Sequence, residues 1–132
     1  MTEDVHVVQE KMPIHQVAHL MLRMKVSGYP VVNGKGKVVG IVTLTDLFVL
    51  INRLSREGKA GRLEDKIKSC RFKTIKEIMS RNVIAISPKT PLHEIIEAVV
   101  NWNIHSFPVM DKNKLVGIIG RHDILNAAFV YT

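Results

Sequence analysis

The sequence predicts an α+β protein made of two β-α-β-β-α repeats that pack through their sheets with pseudo-twofold symmetry. The first observation is that short apolar runs alternate with apolar stripes of helical period along the chain. The second observation is a duplication, because matching residues recur at one offset of 78 residues. These matches are Pro13 with Pro91, His15 with His93, Tyr29 with Phe107 and Pro30 with Pro108.

Length and composition limit the class of protein. A chain of 132 residues with 46% hydrophobic residues can bury one core, and neither repeat is long enough to cover its sheet well alone. The single cysteine, Cys70, excludes an intramolecular disulfide framework and is compatible with a reducing compartment. No secretory signal and no apolar stretch near 20 residues is present, so we expect a soluble cytoplasmic protein.

The first repeat is assigned to residues 1–56. An apolar run at 5–8 predicts a strand, and Pro13 is expected at the first position of a helix that Gly28 ends in the left-handed conformation. Residues 29–32 and 37–42 predict a hairpin around a turn rich in glycine and asparagine, and a second helix should run from Thr43 or Thr45 to about residue 56. The predicted apolar stripe of the first helix is Ile14, Val17, Ala18 and Met21.

Residues 57–73 are predicted to be a basic connection that follows the end of the second helix. The stretch 53–73 holds eight Lys or Arg against three acidic residues, so it carries five of the seven net positive charges of the chain. Such a segment is usually a solvated connection, and contact with nucleic acid is the alternative. Phe72 is its only aromatic residue, whereas base stacking is favoured by interleaved aromatics.

The second repeat is assigned to residues 74–132. Thr74 and Glu77 form a capping-box pattern that predicts a short helix through residue 79, followed by a strand at 83–86. A helix from Pro91, strands at 107–110 and 115–119, and a helix from about residue 121 complete the repeat. The short helix has no counterpart in the first repeat. We therefore expect either that the first repeat begins unusually late, without this helix, or that the sequence is part of a longer chain. The predicted stripe after Pro91 is Leu92, Ile95, Ile96, Val99 and Val100.

One motif occurs once in each repeat, where a strand is predicted to run into a helix. It reads Gly-Ile-Val-Thr-Leu-Thr-Asp at 40–46 and Gly-Ile-Ile-Gly-Arg-His-Asp at 117–123, an offset of 77 because the first hairpin turn is one residue longer. An ionised carboxylate such as Asp46 or Asp123 can accept hydrogen bonds from both hydroxyls of a ribose. A helix N-terminus suits a phosphate, and Thr43 and Thr45 add hydroxyls in the first copy only.

The same residues have a simpler interpretation as a helix cap. Thr43 and Asp46 match a capping box with Asp in place of Glu, which is worth about 1 kcal/mol without any ligand. Taken alone, the Thr43 motif favours capping. The second copy favours a ligand, because Gly120 has no side chain with which to cap and the Asp is still present three residues later.

The duplicated motifs resemble the CBS-domain pair, the module named for cystathionine β-synthase. The resemblance rests on an aromatic-Pro-aliphatic-aliphatic strand and a Gly-aliphatic-aliphatic exit that reaches an Asp in each repeat, and it covers nearly the whole chain. It implies a non-catalytic regulatory module that binds an adenosine-containing ligand (AMP, ADP, ATP or S-adenosylmethionine) in clefts between the repeats. It also implies a homodimer, and a regulated partner or an effector domain outside this chain.

The resemblance further implies two nucleotide sites. The first would combine Thr43, Thr45 and Asp46 with Ile84, Ile104 and His105 of the second repeat. The second would combine Arg121, His122 and Asp123 with His6, Val26 and Ser27 of the first repeat. Family members that bind phosphate strongly often carry a basic residue just before the aromatic-Pro pair. Here Ser27-Gly28 and His105-Ser106 occupy that place, which leaves a less charged adenosyl ligand open.

Other functions are weighed beside this one. A structural dimerisation module without a ligand and a basic nucleic-acid adaptor acting through residues 53–73 are the alternatives. An enzyme is the least favoured, since neither a nucleophile-base pair nor a Gly-rich phosphate loop is evident, and no metal is expected. His15 and His19, at helical spacing, are expected to be surface histidines and not metal ligands.

Overall fold

The structure is a computed structural model that describes residues 7–58 and 61–130. Its contacts divide the chain into two compact units, which are described separately. The first unit is Val7–Asn82 and the second begins at Val83. The predicted mixed α+β class is confirmed in both units. No helix among the described residues is long and apolar enough to cross a membrane.

The first unit contains a three-stranded sheet with helices against it. In chain order its elements are β1 (Val8–Gln9), α1 (Ile14–Met24), β2 (Gly28–Val32), β3 (Val38–Thr43), α2 (Leu44–Arg56), α3 (Leu63–Ser69) and a 3-10 turn (Ile75–Glu77). β2 is the central strand, parallel to β1 with Val8 opposite Val31 and antiparallel to β3 with Tyr29 opposite Val42. The predicted hairpin is confirmed.

The α1 helix follows its predicted stripe. Ile14, Val17 and Met21 are buried, as the helical period requires for one face packed on the sheet. Pro13 precedes the helix in extended conformation. The prediction that Gly28 ends this helix is wrong: the left-handed residue is Lys25, with φ 54°, whose backbone N–H donates to the Met21 carbonyl. Gly28 is instead the first residue of β2.

The segment predicted to be only a connection contains the additional helix α3. Its apolar residues Leu63 and Ile67, and Cys70 just after it, are spaced by four and three positions and pack on the core of the first unit. The many charged residues around them obscured this short stripe in the sequence. The helix is amphipathic because its charged positions remain at the surface.

Residues 75–80 also pack within the first unit. Ile75 is fully buried there, and Ser80 exchanges two backbone hydrogen bonds of 2.9 Å with Ile41 of β3. The predicted short helix is the 3-10 turn Ile75–Glu77, and the backbone N–H of Thr74 donates to the Glu77 carboxylate at 3.0 Å. The boundaries 1–56, 57–73 and 74–132 remain a prediction about repeats.

The second unit has a two-stranded antiparallel sheet. Its elements are α4 (Leu92–Trp102), β4 (Ser106–Asp111), β5 (Lys114–Gly120) and α5 (Arg121–Phe129). Phe107 of β4 is fully buried and lies opposite Ile119 of β5. The strand predicted at 83–86 is reduced to one parallel bridge between Ile86 and Val109.

The apolar stripe predicted for α4 is only partly correct. Ile95 is buried, but Val100 is 74% exposed and Ile96 is 38% exposed, whereas Ala98 is buried. The buried face of α4 therefore includes Ala98 in place of the larger Ile96 and Val100. Asn103 ends this helix with φ 53°, which matches Lys25 at the same offset of 78 residues. Both copies therefore leave their first helix by the same left-handed step.

Candidate ligand site at the strand-to-helix junctions

The first junction joins β3 to α2 and is held together by Thr43 and Asp46. Thr43 is extended and precedes the helix, and Asp46 is in its first turn. The Asp46 Oδ2 atom accepts from the Thr43 backbone N–H at 2.7 Å and from the Thr43 hydroxyl at 3.1 Å. The Asp46 N–H donates to the Thr43 Oγ1 atom at 3.4 Å. This is the complete capping box that the sequence offered as the simpler interpretation.

The capping bonds use one oxygen of the Asp46 carboxylate. Both bonds from Thr43 go to Oδ2, and Oδ1 accepts none from the residues that the structure describes. The side chain is half-buried. Burial raises the pKa of the Asp46 carboxyl above its ordinary value of 3.8, and the hydrogen bonds from the backbone and hydroxyl of Thr43 oppose that rise. Such a fixed carboxylate can accept a hydrogen bond from a ligand hydroxyl.

The first turn of α2 has already used two of its N–H donors. The Leu44 N–H donates to the Ser27 carbonyl at 2.9 Å, and the Asp46 N–H is bound to Thr43. A phosphate at this helix end would therefore meet fewer open donors than the sequence argument assumed. Thr45 is exposed. The junction suits a neutral hydroxyl group better than a strongly charged one.

Ser27 and Val26 lie beside this first junction within their own unit. Ser27 is exposed and immediately precedes Gly28, which pairs with Thr43 across the sheet. Val26 is half-buried and packs against the core of the unit. The sequence assigns both to the site of Asp123. That assignment draws on both units and remains a prediction.

The second junction joins β5 to α5 and keeps half of the cap. The Gly120 N–H donates to Asp123 Oδ2 at 2.9 Å, as Thr43 does to Asp46, but Gly120 has no hydroxyl to complete the box. Asp123 is half-buried, whereas Arg121 and His122 are exposed. The Thr43 hydroxyl therefore has no counterpart in the cap of α5. The carboxylate retains its place relative to the strand end.

The remaining predicted residues divide between the second unit and the undescribed part of the chain. Ile84 and Ile104 are half-buried and pack against the core of the second unit. His105 is half-buried, and its Nε2 atom lies 2.6 Å from the Asn103 Oδ1 atom. A Cβ atom placed on Gly120 would lie 3.8 Å from the His105 carbonyl oxygen, so these two residues are neighbours. His6 lies outside the described residues.

An apolar cavity of about 310 Å³ lies elsewhere in the first unit. Side chains of α1 and α2 form most of its wall, and residues of α3 and its end add to it. Leu44 and Leu47 line it from α2, while Asp46 between them is not part of the wall. Its lining is almost entirely apolar, so it has little to offer a ribose or a phosphate. The cavity is therefore not the candidate adenosyl site.

The part of the chain that the structure describes presents no evident metal centre. Within residues 7–58 and 61–130, no three His, Cys, Asp or Glu side chains come together in a way that could hold a metal ion. His15 is half-buried and His19 is exposed on α1.

Comparisons with known proteins identify the family of this chain. The family model described as CBS domain matches residues 1–53 and 75–129. The chain is 26% identical over 125 residues to a homoserine O-acetyltransferase of Methanohalobium evestigatum, covering 94% of this chain but only 22% of that relative. The chain thus spans about a fifth of that relative's length.

Two solved structures resemble the chain over nearly all of its length. The CBS domain pair of protein MJ0100, in complex with 5′-methylthioadenosine and S-adenosyl-L-methionine, is 25% identical with a TM-score of 0.75, covering 100% of this chain and 94% of that one. CBSX2 in complex with AMP is also 25% identical with a TM-score of 0.75, covering 99% and 93%. Since the family model matches both repeats and the fold is that of a CBS-domain pair, the chain belongs to the CBS-domain family.

Proposed function

We propose that this chain is a non-catalytic regulatory module that binds an adenosine-containing ligand at the Thr43–Asp46 junction. The observation that carries the proposal is the Asp46 carboxylate, which is fixed through Oδ2 and has Oδ1 available to a ligand hydroxyl. AMP, ADP, ATP and S-adenosylmethionine are the candidate ligands. Ligands of this kind are bound by the two similar structures, with AMP in one and S-adenosylmethionine in the other.

The ribose is the part of the ligand that this junction recognises. A ribose has two adjacent hydroxyls, and a hydrogen bond to a charged acceptor contributes about 1.5–3 kcal/mol. Because two N–H donors of the first α2 turn are already bonded, the phosphate contributes less than the sugar. We therefore expect S-adenosylmethionine or AMP to bind at least as well as ATP.

Isothermal titration calorimetry tests the proposal. The chain is titrated with AMP, ADP, ATP and S-adenosylmethionine, and binding of at least one at sub-millimolar concentration is expected. Absence of heat with all four would refute the proposal. Removing the 2′-hydroxyl, by using 2′-deoxy-AMP in place of AMP, should weaken binding by about tenfold or more.

The Asp46→Asn variant assigns that loss to one side chain. In this variant AMP and 2′-deoxy-AMP should bind with nearly equal affinity, because the charged acceptor is absent. Asp123→Asn is the matched variant at the second junction, where we expect the smaller effect because Gly120 supplies no hydroxyl. If the ratio of AMP affinity to 2′-deoxy-AMP affinity is the same in Asp46→Asn as in the unchanged chain, the assignment to Asp46 is contradicted.

The ligand would act by favouring one of two arrangements of the module, through a difference in affinity for them. The predicted contributions of Ile84, Ile104 and His105 to the Asp46 site, and of His6, Val26 and Ser27 to the Asp123 site, are part of this proposal. The regulated partner or effector domain is not specified by this chain. Cytoplasmic location remains a prediction.

We also propose that the module is a homodimer. Large apolar side chains are exposed on helices of both units, including Phe48 and Val49 on α2 and Val100 and Trp102 on α4. Exposed large apolar side chains often mark a protein interface. Light scattering after size-exclusion chromatography should give twice the mass of 14.9 kDa, and a monomer at micromolar concentration would contradict this proposal.

A further inference from the structure

A basic surface lies at the end of α3 and shares no residue with the Thr43–Asp46 cap. Between Lys66 and Lys76 the chain carries five Lys or Arg residues and no acidic residue. The Lys66 ammonium is used internally, since it donates to the Leu54 and Glu57 carbonyls at 3.2 Å each. The other four are exposed and form no ion pair within the residues that the structure describes. These four are Lys68, Arg71, Lys73 and Lys76, and together with Phe72 they are called the basic surface.

The backbone holds this surface in a fixed conformation. The Arg71 N–H donates to the Lys68 carbonyl at 3.2 Å, and the Lys73 carbonyl accepts from the Ile14 N–H of α1 at 2.8 Å. Cys70 and Ile75, which flank Arg71, Phe72 and Lys73 and adjoin the other two cations, are 3% and 0% exposed. The cations are therefore presented by a segment that is anchored in the core on both sides.

Phe72 is the exposed aromatic residue of this segment. Its side chain is 80% exposed although its neighbours Cys70 and Ile75 are buried. The Arg71 guanidinium lies over the ring, 4.9 Å from its centroid. A planar cation on an aromatic ring at the protein surface is the kind of platform on which a nucleic-acid base stacks.

We propose that the basic surface binds single-stranded nucleic acid. Lys68, Lys73 and Lys76 would contact phosphates, and an unpaired base would stack on the Arg71–Phe72 pair. This binding goes beyond the proposed adenosyl function and uses other residues.

Fluorescence anisotropy with a labelled oligonucleotide of twelve thymidines or twelve uridines tests this inference. We expect binding that weakens with salt, with a slope of log K against log salt of about −2 for three phosphate contacts on a single strand. That slope corresponds to a loss of about twentyfold between 50 and 200 mM salt. Absence of binding at 50 mM salt would overturn the proposal.

Two variants separate stacking from charge. Phe72→Ala should weaken binding by about tenfold and leave the salt slope unchanged. Phe72→Trp, which keeps an aromatic ring at this position, should bind as tightly as the unchanged chain. Lys68→Ala should reduce the magnitude of the salt slope by about 0.7. The matched control is Lys35→Ala, an exposed Lys in the first hairpin turn, which should not change affinity.

Competition identifies the class of partner. Poly-glutamate and anionic phospholipid vesicles are added to the labelled complex at equal charge concentration, and an unlabelled oligonucleotide should displace the label far better than either. Equal displacement by poly-glutamate, or Phe72-dependent binding to vesicles, would overturn the nucleic-acid assignment. Circular dichroism of each variant verifies that the helices are retained. AMP titration of Phe72→Ala should match that of the unchanged chain, so failure here is distinguishable from failure of the adenosyl proposal.

Discussion

Asp46 and Thr43 bind each other through three hydrogen bonds, of 2.7, 3.1 and 3.4 Å, and thereby join the end of β3 to the start of α2. Asp123 and Gly120 make the corresponding backbone bond of 2.9 Å in the second unit. One carboxylate therefore caps its helix and keeps an oxygen for other use. Capping and ligand binding are compatible at the first junction, and are not alternatives as the sequence suggested.

Thr43→Ala should destabilise the chain by about 1 kcal/mol, because the variant loses the side-chain cap of α2. Urea denaturation measures the free energy of unfolding. Thr45→Ala is the control, since Thr45 is exposed in the first turn and takes no part in the capping box. Equal destabilisation by the two substitutions would mean that the Thr43 cap contributes nothing specific.

The stability of the chain should carry a pH dependence that Asp46→Asn removes. Burial raises the Asp46 pKa above 3.8, so the folded chain binds this proton more tightly than the unfolded chain does. The stability from that proton is fully present below the unfolded pKa and is lost as the pH rises through the folded pKa. Urea titrations between about pH 3 and pH 7 measure it. If the stability of the unchanged chain relative to Asp46→Asn instead rises with pH, the hydrogen bonds from Thr43 lower the Asp46 pKa by more than burial raises it.

Gly40→Ala should destabilise the first unit by about 1–3 kcal/mol. A Cβ atom on Gly40 would lie 2.7 Å from the Ser80 carbonyl oxygen and 2.8 Å from the Met79 sulfur, so the backbone pairing of Ile41 with Ser80 would have to shift. Gly34→Ala, in the open hairpin turn, is the control and should change stability little. A thermal midpoint of Gly40→Ala equal to that of Gly34→Ala would contradict this role.

Tyr29→Phe should stabilise the chain by about 1 kcal/mol. The Tyr29 hydroxyl is buried and has no hydrogen-bond partner in the described part of the chain, while Phe107 occupies the matching position of the second unit. Removing the hydroxyl therefore removes a desolvated polar group without leaving a large cavity. Chemical denaturation tests this. A loss of stability would indicate that the hydroxyl has a partner after all.

Gly120→Thr should strengthen the second junction. Gly120 is extended, with φ −122° and ψ −172°, and a Cβ atom there meets only the His105 carbonyl oxygen at 3.8 Å, so a side chain fits. The added hydroxyl can cap α5, raising the free energy of unfolding by about 0.3 kcal/mol. Titration should also show tighter AMP binding at the second site. Weaker AMP binding would indicate that the glycine is needed to admit the ligand.

The sequence by itself determined the repeat and most of its elements. The matches of Pro13 with Pro91 and Tyr29 with Phe107 predicted the helices and hairpins, because apolar periodicity and turn residues are local properties. The cap between Thr43 and Asp46 was also readable, since both partners lie within one helical turn. The weaker cap at the second junction was predicted from one residue, since Gly120 stands where the first copy has Thr43.

The tertiary structure decided what depends on packing between distant residues. The α3 helix was missed because charged residues obscure the short stripe of Leu63, Ile67 and Cys70. These three residues can be recognised as the apolar face of a helix only once they are seen to pack on the core. The buried face of α4 was misassigned because Ala98, and not Val100, is buried in the core of the second unit. Gly40 is part of the sequence motif, but only the fold shows why a glycine is needed there, because it brings the backbone of Ser80 close to Gly40. Local spacing cannot specify which of several apolar residues will find a partner across the chain.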